Sequence, residues 1–286
     1  MFRQVQLQSA DLQSLNLIIL HPRRNKILSV IIPWRDRPEI ERTLEHNRSL
    51  LPDAEVIVVN CGGDHDALMA LLSRVNWPAV RDIWLPMERF NKCRALNRGV
   101  ASSCGEHLFF LDADVLLQPD WLPSARASLD EGFVTIERVH ESQPFAPIPD
   151  SHIRILRPVT ELVTRDGRQI RLVKNERDLV NGTRGGPGLI LLRRADFLAV
   201  GGMHSGLEGW GWEDIDLIAR LQIFGLRRRF MGEVVHLSHG DETRALYGER
   251  RSVTESRNFH HSLRRYVEGN FQGTYAEELH ATDLLG

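Results

Sequence analysis

Through roughly the first 120 residues, short apolar runs alternate with longer amphipathic stretches. The runs at 27–32, 55–60, 80–85 and 106–111 are rich in Val, Ile, Leu and Phe, and they read as buried strands. Pro33 is expected to stop the first run, and Gly62-Gly63 closes the second. Between them, 38–51, 64–75 and 91–103 carry helix-period patterns, and Pro38, Asp64 and Asn91 are suitable starts. Strands alternating with helices of this length predict an α/β fold. Its central sheet is mostly parallel, with right-handed crossovers and flanking helices.

After Asp120 the rhythm changes. Residues 140–186 are polar, proline-containing and less regular, and Thr164-Arg165-Asp166-Gly167-Arg168 reads as a hairpin with a two-residue turn. Gly185-Gly186-Pro187-Gly188 leads into a strand at 189–192, followed by a helix at 194–200. A second amphipathic helix spans 213–224 and stops at Gly225, and the last strand is expected at 229–236. No linker divides the chain. It therefore reads as an extension at 1–26, one domain at 27–240, and a polar, partly helical tail at 241–286.

Composition narrows the class. The length of 286 residues is ample for a buried core, and 42% apolar with 26% charged residues is ordinary for a globular chain. A formal net charge of −2 argues against a dedicated nucleic-acid binder. Cys61, Cys93 and Cys104 match neither a disulfide framework nor a zinc spacing, which points to a reducing cytosol. No apolar run is long enough to span a bilayer, and the apolar segment at 15–20 lacks the flanks of a signal peptide. The arginine run 227–229 and the tail are the places where peripheral contact with a membrane surface would occur.

The candidate chemistry begins at Asp112 and Asp114, two carboxylates spaced i, i+2 at the end of an apolar strand. Open α/β sheets bind ligands at the C-terminal ends of their strands. Hard oxygen ligands there suit Mg²⁺ or Mn²⁺ holding a diphosphate. The same local pattern also fits the first motif of haloacid-dehalogenase-type phosphatases, with Asp112 as nucleophile. That reading calls for a strand nearer the N-terminus than this one. Farther on, Trp210-Gly211-Trp212-Glu213-Asp214 opens a helix. Tryptophan offers a flat face to a sugar ring, and an ionised carboxylate in a first helical turn can serve as a general base. Pro33, Arg35 and Arg37 follow the first strand, and Asn60 ends the second. Phe90 and Lys92 flank a helix start suited to an anion. His236 and His239 are candidates for a further metal ligand. Strand alternation would put them on opposite faces, so that one of the two ligates.

These motifs, in this order, resemble those of GT-A glycosyltransferases. The segments are Pro33-Trp34-Arg35-Asp36-Arg37-Pro38-Glu39, Phe90 to Asn97, Leu111-Asp112-Ala113-Asp114 and Gly209 to Asp214. The match is similar to glycosyltransferase family 2 and to the galactosyltransferase-type motif of β-1,4-galactosyltransferases. It extends to polypeptide N-acetylgalactosaminyltransferases and chondroitin polymerases, and it covers about 27–240. The resemblance implies a GT-A, Rossmann-like fold and a nucleotide-sugar donor, most often a UDP-sugar. It further implies Mn²⁺ or Mg²⁺ as cofactor and a glycan, lipid-linked or small-molecule hydroxyl acceptor. By position it implies Asp114 and a late histidine, preferably His236, as metal ligands, with Asp112 on ribose or metal. Pro33, Arg35 and Arg37 would line the nucleotide site, with Asn60, Phe90 and Lys92 near the base. Trp210 and Gly211 would face the sugars. Asp214 would be the catalytic base of an inverting transfer, and Glu213 would support the sugar. A non-catalytic nucleotide-sugar-binding protein is the remaining alternative.

Overall fold

The computed structural model describes residues 28–142, 147–239 and 248–283. The expected extension at 1–26 lies outside them. The first half is a run of βα units: β1 (Leu28–Trp34), α1 (Glu39–Asn47), β2 (Ala54–Asn60), α2 (His65–Val75), β3 (Val80–Trp84), α3 (Lys92–Ala101) and β4 (His107–Phe110). β1 pairs in parallel with β2 on one side and with β4 on the other. Alternation along β1 explains its continuous burial. Val30, Ile32 and Trp34 join the core cluster of α1 and α2, and Ile31 joins that of α3. Asp64 and Asn91 cap α2 and α3 through their side chains, accepting from Ala67 N and Arg94 N at 3.0 Å each.

Pro33 does not stop β1. The strand runs on to Trp34, whose carbonyl accepts from Cys61 N at 2.8 Å. The ladder to β4 ends at Ile31, and Pro33 turns its nitrogen to that same side, so the missing N–H disrupts no pairing.

The second half is mixed. It comprises β5 (Val115–Leu117), α4 (Leu122–Ala127), β6 (Gly132–Glu141), β7 (Ile155–Leu156), β8 (Val159–Val163), β9 (Gln169–Val173), β10 (Arg177–Asp178), β11 (Thr183–Arg193), α5 (Arg194–Ala199), α6 (Glu213–Ile223), β12 (Arg227–Phe230), β13 (Glu233–His236), α7 (Arg251–Val267) and α8 (Tyr275–Asp283). The sheet order is β3-β2-β1-β4-β11-β6-β13-β5, with β12 on β6 and β10 on β11. It is parallel from β3 to β4, and β11 then runs antiparallel to both β4 and β6.

Three expectations change. The strand expected at 189–192 begins at Thr183, and its register with β6 shifts around Gly186. The strand expected at 229–236 is two strands, broken before Glu233. There Gly232 takes φ +86°, and a Cβ would lie 2.5 Å from the Trp121 ring. The β8–β9 hairpin has three residues, not two, between Thr164 and Arg168, with Gly167 at φ +85°. One face of β9 is apolar: Ile170 and Leu172 pack into the core that α6 shares.

α7 docks on α6 through polar contacts. Ser262 Oγ and Tyr266 Oη donate to Asp216 Oδ1 at 2.8 and 2.7 Å. Asp216 also pairs with Arg220 at 2.8 Å, both fully buried. Burial pushes the Asp216 carboxyl up, but these partners outweigh it and hold it below its ordinary value.

Candidate active site

One end of the site is a carboxylate and two imidazoles. Asp114 lies between β4 and β5. Its loop is fixed by α1, where Thr43 Oγ1 donates to Ala113 O and Asn47 Nδ2 to Val115 O, each at 2.9 Å. Asp114 O accepts from Leu237 N at 2.8 Å, which ties the end of β13 to it. His236 Nε2 is 3.5 Å from Asp114 Oδ1, and His239 Nε2 is 3.2 Å from Oδ2. One ligand atom from each of the three lies within 4.8 Å of the others. Strand alternation therefore does not separate the two histidines. β13 ends at His236, and the chain then turns, so both rings reach the same carboxylate.

Glu141, at the end of β6, accepts from His236 Nδ1 at 2.6 Å and pairs with Arg184 Nε at 2.7 Å. Arg37 bonds Asp114 Oδ2. Burial pushes the Asp114 carboxyl up, but His236, His239 and Arg37 outweigh it and hold the group well below the carboxylate range. Burial opposes the charge of His236, yet Asp114 and Glu141 raise its pKa to about 9. Two imidazole nitrogens and a carboxylate suit Mn²⁺ and similar divalent ions. Asp114 Oδ1 is buried without a hydrogen-bond partner among the described residues, and a cation would satisfy it.

Asp112 is not part of this group. Its Oδ1 meets Lys92 Nζ at 3.0 Å, and the same ammonium lies 3.5 Å from Asp214 Oδ1. Lys92 thus bridges the first acidic motif to the second. Burial disfavours its charge, but Asp112, Asp214 and Glu213 outweigh that and hold the ammonium well above its ordinary pKa.

Glu213 and Asp214 open α6. The turn before them is wound by Gly209, Gly211 and Trp212, all at positive φ. A tryptophan at φ +75° is strained, at a cost of about 1–3 kcal/mol. It is held by edge contact with Phe259, at 4.7 Å between ring centroids, and by Asn258 Nδ2 on Gly211 O at 2.8 Å. Burial and the adjacent Asp214 raise Glu213 to about 7. Burial also raises Asp214, with Lys92 opposing.

A cavity of about 580 Å³ joins the two ends, and most expected residues line it. Pro33, Arg35, Arg37 and Phe90 line it, and so do Trp210, Gly211, Glu213 and Asp214. Asn60 is elsewhere: it is fully buried, and its amide bonds Gly63. Several lining residues carried no signal in the sequence. Glu141 ends an unremarkable strand. Lys174 pairs with Glu255 across distant segments, and Arg251 stacks on Trp210 at 3.6 Å. Gly188 stood in a recognised glycine run, but its role did not. A Cβ there would lie 2.4 Å from Asp214 Oδ2.

Comparison with known proteins agrees with this geometry. Residues 29–195 match the model of glycosyl transferase family 2, and residues 174–240 match that of the N-terminal domain of galactosyltransferase. The chain is 28% identical over 220 residues to validoxylamine A glucosyltransferase of Streptomyces hygroscopicus subsp. jinggangensis, covering 70% of this chain and 52% of that protein. It is 27% identical over 179 residues to N-acetylgalactosaminyltransferase 7 of Drosophila melanogaster, covering 57% of this chain and 30% of that protein. The chain thus spans about half the length of these relatives or less. The crystal structure of GalNAc-T7 with UDP, GalNAc and Mn²⁺ superposes with a TM-score of 0.56 at 17% identity, over 84% of this chain and 48% of that one. That likeness shows a shared GT-A-type fold.

Proposed function

We propose, from the premise that this chain belongs to glycosyl transferase family 2, that it is a metal-dependent inverting glycosyltransferase using a nucleotide-sugar donor, a UDP-sugar first. The observation that carries this reading is a single cavity with Asp114, His236 and His239 at one end and Glu213 and Asp214 at the other. The neighbour crystallised with UDP and Mn²⁺ supports the donor class and the metal.

Asp114, His236 and His239 would hold Mn²⁺ or Mg²⁺, with Glu141 orienting His236 from behind. Bound there, the ion supplies positive charge to the departing diphosphate. Arg35, Arg37 and Phe90, which line the cavity, bind the nucleotide. Trp210 and Gly211 shape the sugar pocket. The acceptor oxygen forms its bond to the anomeric carbon as the bond to the diphosphate breaks, and Asp214 takes the acceptor's proton. Burial raises the pKa of Asp214, the direction that suits a general base, and Lys92 opposes that shift. Lys92 also keeps Asp112 engaged, and Glu213 supports the sugar. Family membership favours this chemistry over phosphatase action at Asp112.

The test is thermal unfolding with UDP, GDP, CDP or dTDP, each with Mn²⁺, Mg²⁺ or EDTA. A ligand at about 100 times its Kd stabilises by roughly 2.7 kcal/mol. A shift with one nucleotide, abolished by EDTA, supports the reading. No shift with any nucleotide removes it. The anomeric configuration of the product, read by NMR, decides inversion.

A further inference from the structure

The segments that match family models end at residue 240, and α7 lies beyond them at Arg251–Val267. It nevertheless reaches back to the turn that opens α6. The fully buried residues of α7 are Thr254, Asn258, Ser262 and Arg265, every one polar. A helix docked for stability alone would bury an apolar stripe. Thr254, Asn258 and Ser262 recur every four residues and share one face, and that face is matched to particular backbone and carboxylate atoms.

The matching begins at the turn formed by residues 208–211. Thr254 Oγ1 donates to Trp210 O at 2.7 Å and accepts from Trp210 N at 3.3 Å. Asn258 Nδ2 donates to Gly211 O at 2.8 Å and to Glu208 O at 3.1 Å. The backbone of the turn is thus satisfied by α7 side chains. The approach is close. A Cβ at Gly209 would lie 2.8 Å from Thr254 Cγ2, and one at Gly211 would lie 3.0 Å from Glu255 Cβ. Glu255 itself lines the cavity and pairs with Lys174, just past β9. Farther along, Ser262 bonds Asp216 of α6. One polar face therefore sets both the turn and the helix that carries Glu213 and Asp214. A buried polar network that is fully paired specifies a single geometry.

We infer that α7 is a working part of the active site, with Thr254 and Asn258 as positioning residues that hold the Trp210–Gly211 turn against the donor's sugar. The inference rests on the glycosyltransferase reading, which gives that turn to the sugar.

The test pairs Thr254→Val, which keeps the shape and removes the hydroxyl, with Thr254→Ser, which restores it. UDP release is measured with Mn²⁺ from UDP-glucose, UDP-galactose and their two N-acetylated counterparts, and UDP is titrated as a competing inhibitor. In Thr254→Val, kcat/KM for the donor that the wild-type protein uses is expected to fall about tenfold or more, since small misplacements of positioning groups are costly. Inhibition by UDP is expected to be unchanged, and Thr254→Ser is expected to recover most of the loss. Amide hydrogen exchange in Thr254→Val is expected to quicken at 208–214 and to stay at the wild-type rate in β1 and β2. If Thr254→Val does not fold, Glu255→Ala removes the stem beside Gly211 from a partly exposed position and is expected to show the same split. Unchanged kcat/KM overturns the inference. So does an equal loss in UDP inhibition, wild-type exchange at 208–214, or failure of Thr254→Ser to recover activity. UDP binding without release from any of the four donors also overturns it. If UDP with Mn²⁺ fails to bind the wild-type protein at all, the glycosyltransferase reading itself fails, and this inference falls with it.

Discussion

At the scale of single residues, the site is organised by pairs of opposite charge that span long sequence distances. Asp214→Asn keeps the shape of the α6 N-terminus and removes the carboxylate proposed as proton acceptor. Transfer is expected to fall by about 10²–10⁴, while the stabilisation by nucleotide and metal persists in thermal unfolding. Unchanged turnover in this variant would remove Asp214 from the role of base. Asp114→Ala takes away the carboxylate that both histidines face. Its nucleotide-induced shift in Tm is expected to become the same with Mn²⁺ as with EDTA, and a retained difference would place the ion elsewhere. Gly188 makes a steric prediction. An alanine there must displace Asp214 or Lys92, since a Cβ would sit 2.4 and 3.1 Å from their side-chain atoms. Gly188→Ala is expected to lower kcat without lowering Tm by more than a few degrees, measured by parallel kinetics and unfolding. Much of this chemistry was legible in the sequence, because acids spaced i, i+2 after an apolar strand are a local pattern. Local grounds did not show which way Asn60 turns. It ends a strand at the ligand-binding edge, but its amide turns inward to Gly63.

At the scale of elements, α6 presents the two acids and α7 holds α6 in place. Tyr266 Oη on the buried Asp216 is a hydrogen bond to a charged group, worth about 1.5–3 kcal/mol. Tyr266→Phe is expected to lose about that much stability in denaturant unfolding, and a loss near zero would show that α7 does not brace α6 through this contact. The same interface carries a pH dependence. His204 packs edge-on against His261 of α7, with ring centroids 5.1 Å apart. Burial and the nearby Arg265 and His261 depress His204 from 6.5 to about 4. Between these values the unfolded chain holds a proton there that the folded chain does not, so the stability from this residue falls as pH drops from about 6.5 through about 4. His204→Asn is expected to flatten that part of the stability–pH profile, and an unaltered slope would exclude His204 as its source. Element types in the first half were readable because period 2 and period 3.6 patterns are strong over whole βα units. Boundaries were not. Pro33 stays inside β1 because β4 ends beside it, and Gly232 breaks the last strand because Trp121 lies across it.

At the scale of the whole molecule, the cavity exists because the parallel and antiparallel halves of the sheet meet at β4 and β11. Pro33, Arg35, Arg37 and Phe90 in its lining come from the first half, and Glu141, Lys174, Arg184 and Arg251 come from the second half and α7. Ligands that touch both halves should make unfolding more cooperative. UDP with Mn²⁺ is therefore expected to raise Tm in one transition, and a split transition by calorimetry would show that the halves unfold separately. Among the described residues no helix is long and apolar enough to cross a membrane. What the sequence determined by itself was the α/β rhythm, the order of the acidic motifs and the residue types that suit a divalent cation, all of which are short-range patterns. The tertiary structure decided the rest. It brought both histidines to Asp114, set Lys92 between Asp112 and Asp214, and placed Glu141, Lys174, Arg177 and Arg251 around the same space. Those contacts join segments tens to more than a hundred residues apart, and no periodicity along a chain encodes the distance between segments that only folding brings together.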